Sequence, residues 1–403
     1  MRVLHVIPSL SAKHGGPSLV LPVLARALID KGIEVVIATT DDDGVRAHLN
    51  VVLEIPVKSE SGATIFYFRK STEFYKFSFQ LTRWLFKHVA TFDLIHIHAL
   101  FSYSSVAAAF IAKRRRVPYI VRPLGVLNRW GMKNRRRGLK RLSLRWIEMP
   151  ILRGAAAIHY TSRAEQIEAA AADAAIERIP SAVIPLPVEI RGLPVASYAA
   201  RFRERFPNIG DRPVVLFLSR IDPKKGLELL LAGFVDVVRT VPRAVLVLAG
   251  AGDDRYIALL RKMIEDKGLR DHVLWAGFLE GEDKAAAFAV ASVYVLPSYS
   301  ENFGIAAAEA LAAGVPVVVS DQVALSADIK AANAGIVVSC EAGAIASAVV
   351  RLLGDADLRE DFRRRGQALA VTSFSLKAVG TALRNFYALV LSPQSEVRPV
   401  IAP

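Results

Sequence analysis

One cysteine, Cys340, stands in 403 residues. Such a chain can form no intramolecular disulfide and no cysteine-built zinc site, and the shortage suits a reducing compartment. The sequence also lacks an uninterrupted apolar run near the roughly 18 residues that a spanning helix needs, so no transmembrane helix is expected. Met1-Arg2-Val3-Leu4-His5-Val6-Ile7-Pro8 is too short in its apolar run for a signal peptide and reads as a first strand. No zinc finger, homeodomain or RNP-type pattern accompanies the basic charge, which argues against a nucleic-acid partner.

What is present is apolar and basic. Hydrophobic residues make up 53% of the chain and charged residues 22%, the balance of a globular protein. Its length exceeds what one core normally serves, so two domains are expected. The net charge is +14. Much of the excess falls between residues 113 and 145, in Lys113-Arg114-Arg115-Arg116 and then Lys133, Arg135, Arg136, Arg137, Lys140, Arg141 and Arg145. Trp130, Leu139, Leu142, Leu144 and Trp146 are interleaved with these cations. A basic amphipathic segment of this kind fits an anionic membrane surface, with a solvated basic helix as the plainer reading. The expected location is cytoplasmic, peripheral at the inner face of the cell membrane.

In chain order, residues 2–7 form a strand, and the glycine loop His14-Gly15-Gly16-Pro17 opens a helix that ends at Lys31-Gly32. A strand at 34–39 completes a βαβ opening. The glycine pair lets a phosphate or sugar approach the backbone closely, but its spacing is not G-x-G-x-x-G. Asp41-Asp42-Asp43 is then the one feature that favours a dinucleotide, and an NAD-dependent oxidoreductase is a remote reading. Further strands are expected at 65–68, 94–98, 119–121 and 156–160, with a helix near 76–90. His96 and His98 alternate onto one face, and with no third ligand nearby in sequence a packing or polar role outweighs a metal. Pro185-Leu186-Pro187-Val188 closes the first half, and an irregular stretch to about Asp211 reads as linker.

The second half restarts with a strand at 214–219 and the exit loop Arg220-Ile221-Asp222-Pro223-Lys224-Lys225-Gly226. A strand at 244–249 ends in Gly250-Ala251-Gly252, and one at 273–277 ends in Gly277-Phe278. Residues 293–296 and 315–320 read as strands around a polar loop and a small-residue helix. Glu301 precedes that helix, Glu309 lies inside it, and Phe303-Gly304-Ile305 supplies N–H groups at its start, a ready anion site. A strand at 336–338, a helix near 342–353 and a last helix near 376–391 complete two doubly wound α/β domains. Arg220, Lys225 and the Glu301–Glu309 loop share one sheet edge. Cations with helix N–H groups suit a diphosphate, and a carboxylate a turn into the helix suits a ribose diol. Lys224-Lys225-Gly226 is no Walker loop, because the upstream glycine and the following Ser or Thr are missing.

With these residues in hand, the chain resembles the retaining glycosyltransferases of family 4, which have the GT-B fold. The carrying motifs are Ser219-Arg220 with Lys225-Gly226, Leu248-Ala249-Gly250-Ala251-Gly252, and Trp275-Ala276-Gly277-Phe278. The most specific is Pro297-Ser298 through Ala310-Leu311 with its E-x7-E spacing, followed by Ala313-Gly314-Val315-Pro316-Val317. First-domain matches are Gly15-Gly16, the His-x-His strand and Arg122-Pro123-Leu124-Gly125-Val126-Leu127.

The resemblance implies two Rossmann-like domains facing across a cleft. The first, at 1–190, is the acceptor side, and the helix near 376–391 returns to it. The second, at 205–375, holds the nucleotide sugar. It implies that Arg220 and Lys225 neutralise the diphosphate, joined by the N–H groups of Gly304 and Ile305, and that Glu309 holds the ribose. Glu301 and Asn302, beside Phe303, would face the sugar. Gly16 and Gly250 would adjoin the donor, and Gly277 with Phe278 the base. Gly15, His98 and Arg122 are the acceptor-side candidates. Many relatives read Pro-His-Gly where Leu124 stands, and Leu124 cannot hydrogen-bond. The implied reaction is metal-independent transfer from a UDP- or GDP-linked sugar to a glycan or lipid-linked acceptor, with no cofactor. A sugar-nucleotide epimerase on a similar fold is the alternative.

Overall fold

The computed structural model describes residues 1–127, 138, 142–189 and 195–392. Its chain divides into two compact units, Met1–Pro187 with the C-terminal segment from Leu376, and Val188–Ser375. Among the described residues no helix is long and apolar enough to cross a membrane.

The first unit is built on strands β1 (Arg2–Ser9), β2 (Glu34–Thr40), β3 (Val57–Lys58), β4 (Thr64–Phe68), β5 (Leu94–His98), β6 (Tyr119–Arg122), β7 (Ala157–Tyr160) and β8 (Ser181–Val183). Their order is β3-β4-β2-β1-β5-β6-β7-β8, parallel except for the short edge strand β3. Alternation along the strands feeds two cores. Leu4, Val6, Ile95, Ile97 and Val121 pack with residues of helices Phe79–His88 and Tyr103–Arg115. Val3, Ile7, Leu94 and Ile120 pack with helix Gly16–Ile29 and helix Leu376–Leu391. The last two helices touch closely at Gly380, where an added Cβ would lie 2.3 Å from the carbonyl oxygen of Ala27. The last helix therefore returns to the first unit, as expected.

Strands β9 (Val214–Leu218), β10 (Val245–Ala249), β11 (Val273–Gly277), β12 (Ala291–Leu296), β13 (Val317–Ser320) and β14 (Gly335–Val338) form the second unit's sheet. The order β11-β10-β9-β12-β13-β14 is parallel throughout. Strand order reverses between β9 and β12. Their exit loops run to opposite sides and leave a crevice, the place where open α/β sheets bind ligands.

One expectation fails. The stretch read as linker contains helix Val195–Arg205, part of the second unit. Ala199 and Phe202 are buried, and Arg201 and Arg205 pair with Asp283 at 3.0 and 2.5 Å. The proline-rich composition before it masked an amphipathic helix. Within the basic segment, Lys113–Arg115 end helix Tyr103–Arg115, and Leu144–Glu148 forms a π turn that runs into helix Met149–Gly154. Trp130, Lys133, Arg135, Arg136, Arg137, Leu139, Lys140 and Arg141 lie outside the described residues.

Candidate functional site

In the second unit the exit loops of β9, β10, β11 and β12 are joined through main chain. Ile221 N–H donates to the Ala251 carbonyl at 2.8 Å, Gly250 N–H to the Gly277 carbonyl at 2.7 Å, and Tyr299 N–H to the Lys224 carbonyl at 2.9 Å. Two glycines allow this closeness. At Gly250 (φ +148°) an added Cβ would lie 1.9 Å from the Ser219 oxygen, and at Gly226 (φ +66°) 2.2 Å from the Pro297 oxygen. Arg220 and Lys225 are thereby brought to the loop that carries Glu301.

Lys225 is buried, and its ammonium donates to the Glu301 carboxylate. Burial pushes the Glu301 carboxyl up, but the cations of Lys225, Lys224 and Arg220 outweigh it and hold the group below its ordinary range. Arg220 is exposed and, among the described residues, pairs with no carboxylate. The Glu301 backbone is clamped from both sides, donating to the Gln322 carbonyl and accepting from Ala324 N–H, each at 3.0 Å.

Gly304 (φ +95°) turns the chain into helix Ile305–Ala312. The helix's returning bonds begin with Ala307 and Ala308 N–H to the Gly304 carbonyl. The N–H groups of Gly304 and Ile305 precede them and open toward the loop. Phe303 is buried and packs edge-on to Phe374, with ring centroids 5.7 Å apart, so it anchors the loop and can offer a ligand only its main chain. Asn302 is half-buried beside it. Glu309 accepts from Lys284 Nζ at 2.6 Å, a partner that no motif signals because helix Gly281–Val290 carries none. Phe278 is exposed at the end of β11, next to Gly277 (φ +73°). Its exposed ring is available to stack on a planar group.

In the first unit strand order reverses between β1 and β5. Gly15 (φ +81°) caps the loop after β1, and Gly16 begins the following helix. The acidic run at 41–43 is engaged by the protein's own basic side chains. Asp42 binds Lys70 at 2.8 Å and His14 at 2.9 Å, Asp41 binds Arg69 and His48 at 3.0 Å, and Asp43 binds Lys13 at 2.6 Å. These carboxylates fasten a loop, and none is left for a dinucleotide ribose.

His98 and Arg122 were expected on the acceptor side, but both are wholly buried and present no atom at the surface. The register explains it: His5 pairs with His96 and His98 with Arg122, all on the face covered by the last helix. His5 Nδ1 and His98 Nε2 share a hydrogen bond of 2.8 Å. His159 Nε2–H donates to the Ile184 carbonyl at 2.8 Å, which leaves its Nδ1 to accept from His96 at 3.3 Å. His96 Nδ1 then accepts from the Tyr387 hydroxyl at 2.7 Å. Burial takes His5 and His159 down to about 3 and holds His96 and His98 well below the ordinary histidine value. Their sequence-distant partner His5 does complete a three-nitrogen cluster within 4.8 Å. His5 Nε2 and His98 Nδ1 have no hydrogen-bond partner among the described residues, but the buried Arg122 cation beside the cluster disfavours a divalent ion there. Leu124 adopts φ +61° ahead of Gly125, whose N–H donates to buried Glu165 at 2.6 Å. That backbone is shaped and held although its side chain is apolar.

Comparison with known proteins adds a second line. Residues 15–187 match the family described as "Glycosyl transferase 4-like domain", and residues 200–369 match "Glycosyl transferases group 1". The chain is 31% identical over 245 residues to an alpha-D-kanosaminyltransferase of Streptomyces kanamyceticus, covering 60% of this chain and 63% of that protein. It is 31% identical over 233 residues to a GDP-mannose-dependent alpha-(1-6)-phosphatidylinositol monomannoside mannosyltransferase of Mycolicibacterium smegmatis, covering 56% and 58%. These matches span less than two thirds of the relatives' own length. In fold, the chain resembles the Anabaena HepE protein solved with UDP and glucose, with a TM-score of 0.76, 19% identity, and 96% and 99% of the two chains covered.

Proposed function

Because the chain belongs to the family-4-like glycosyltransferases of the GT-B fold, we propose that it transfers a sugar, with retention, from a nucleoside-diphosphate sugar to a lipid-linked or polysaccharide-precursor acceptor. The observation that carries the reading is the convergence at the β9/β12 reversal of Arg220, Lys225, the Gly304–Ile305 turn and Glu309. Breaking a sugar–phosphate bond puts charge on the departing oxygens, and fixed cations with helix N–H groups stabilise it where it develops. Lys225, held by Glu301 in the ligand-free protein, turns part of its charge to the diphosphate when the donor enters. Arg220 closes over the phosphates from the exposed side. Glu309, oriented by Lys284, takes the ribose hydroxyls, while Phe278 lies against the base. Glu301 and Asn302 then face the sugar.

In the first unit Gly15 and Gly16 leave the backbone after β1 open to a ligand, and buried His98 and Arg122 support that sheet edge from beneath. The diphosphate charge is met by Arg220, Lys225 and main-chain N–H groups, so the reaction needs no metal and no cofactor. A lipid-linked acceptor is favoured by the basic residues around 113–145, and the M. smegmatis relative carries a lipid acceptor in its name. UDP- and GDP-linked donors are the ones to test first.

Incubation of the full chain with UDP- and GDP-sugars and membrane extracts tests the reading. Release of the nucleoside diphosphate together with a new glycosidic bond of unchanged anomeric configuration is expected. Isomerised sugar nucleotide with no transfer would replace it by epimerisation.

A further inference from the structure

Opposite the buried histidines, the first unit carries a pocket of about 500 Å³ that has no part in the chemistry above. Phe74, Tyr75, Phe77, Tyr103, Val106 and Ile147 are among the residues that line it. Its surroundings are unusually apolar for a surface. Phe74 is 81% exposed, Trp146 67% and Phe110 65%, and Leu142 is exposed close by. Tyr103, Val106 and Phe110 fall at helical spacing on one face of helix Tyr103–Arg115, and that face ends in Lys113 and Arg114. The Arg145 guanidinium lies 5.6 Å from the Trp146 ring, and that of Arg115 5.1 Å from the Phe86 ring.

Monomeric proteins seldom leave large apolar side chains grouped on the surface in this way, and cations predominate at the rim, where the carboxylate beside Phe74, Glu73, is paired with Lys70 at 2.7 Å. Aromatic and aliphatic side chains bordered by exposed Lys113, Arg114, Arg115 and Arg145 repeat the layering of a bilayer interface, with apolar groups at acyl depth and cations at the headgroups.

We propose that this patch inserts into an anionic phospholipid membrane, with Phe74, Phe110 and Trp146 entering the acyl layer and a lipid acyl chain occupying the pocket. The proposal rests on the membrane-facing reading of the basic segment and deepens it, from electrostatic adsorption to insertion at a defined face. Charge complementarity selects the lipid: Lys113, Arg114, Arg115 and Arg145 have no acidic partner among the ion pairs of the described residues. The pocket and Phe74 belong to the first unit, whereas the diphosphate-binding loops belong to the second.

The test uses the full chain with vesicles of phosphatidylglycerol and phosphatidylcholine, or of phosphatidylcholine alone, made with or without acyl-brominated lipid. Expected is flotation with the anionic vesicles and quenching of tryptophan fluorescence by the brominated chains. That quenching falls at least twofold in Trp146→Phe, and Phe74→Ser/Phe110→Ser lowers vesicle partition at least tenfold with nucleoside-diphosphate binding unchanged. Both substituted phenylalanines are exposed, so the double variant is expected to fold. Flotation that salt reverses, without quenching and without loss in the double variant, overturns insertion and leaves the electrostatic reading standing. Absence of flotation with either vesicle overturns both.

Discussion

Glu309 and Lys284 meet at 2.6 Å, from helices Ile305–Ala312 and Gly281–Val290. The pair is part-exposed, so by itself it contributes only about 0–1 kcal/mol to stability. Its use is orientation. Glu309→Ala is expected to weaken nucleoside-diphosphate binding about tenfold or more, that is by about 1.4 kcal/mol, while Lys284→Ala shifts it less and leaves the melting temperature nearly unchanged. Calorimetric titration measures both, and wild-type affinity in Glu309→Ala would remove the ribose role.

Lys225 is different, because it is buried against Glu301. Lys225→Met is expected to slow transfer about 10²–10³-fold, the scale seen when one charge-stabilising donor is removed. It also leaves Glu301 unpaired and lowers stability. The double variant Lys225→Met/Glu301→Gln should recover the melting temperature without recovering turnover. Recovery of turnover as well would show that Lys225 serves only to neutralise Glu301.

Gly226 and Gly277 separate backbone conformation from crowding. Both have positive φ, but an added Cβ at Gly277 meets nothing within 4 Å, whereas at Gly226 it would lie 2.2 Å from the Pro297 oxygen. Gly277→Ala should cost about 1–2 kcal/mol, the left-handed penalty alone. Gly226→Ala should destabilise more and also weaken nucleotide binding, since it parts the loops that bring Lys225 to Glu301. Thermal melts with and without UDP or GDP distinguish the two, and equal effects would contradict the loop contact.

The buried histidines predict a pH response. Their native-state pKa values lie below the unfolded value of 6.5, with His5 and His159 at about 3. Between those limits the unfolded chain binds more protons than the folded one. Stability is therefore complete above about pH 6.5 and falls as pH drops toward 3, by up to about 1.4 kcal/mol per pH unit for each histidine. His159→Gln should reduce that slope in pH-resolved calorimetry of the full chain; an unchanged slope would show that His159 does not contribute.

Transfer is expected to persist in excess EDTA. Full loss that magnesium restores would overturn metal independence.

Much of the second unit was readable from sequence because its signals are local. Strand alternation and the glycine at each turn are properties of neighbouring residues, and the E-x7-E spacing lies within one short loop-and-helix segment. The C-terminal helix at 376–391 was readable for the same reason, as an uninterrupted apolar periodicity. Tertiary structure decided what depends on residues far apart in the chain. Sequence order gives no hint that Lys284 would meet Glu309, or that His5 would complete a cluster with His96 and His98, because strand register and helix packing set both pairings. It also turned His98 and Arg122 from expected contacts into buried supports. Which face of a strand the last helix covers is settled only when residues 291 positions apart, His96 and Tyr387, come within 2.7 Å.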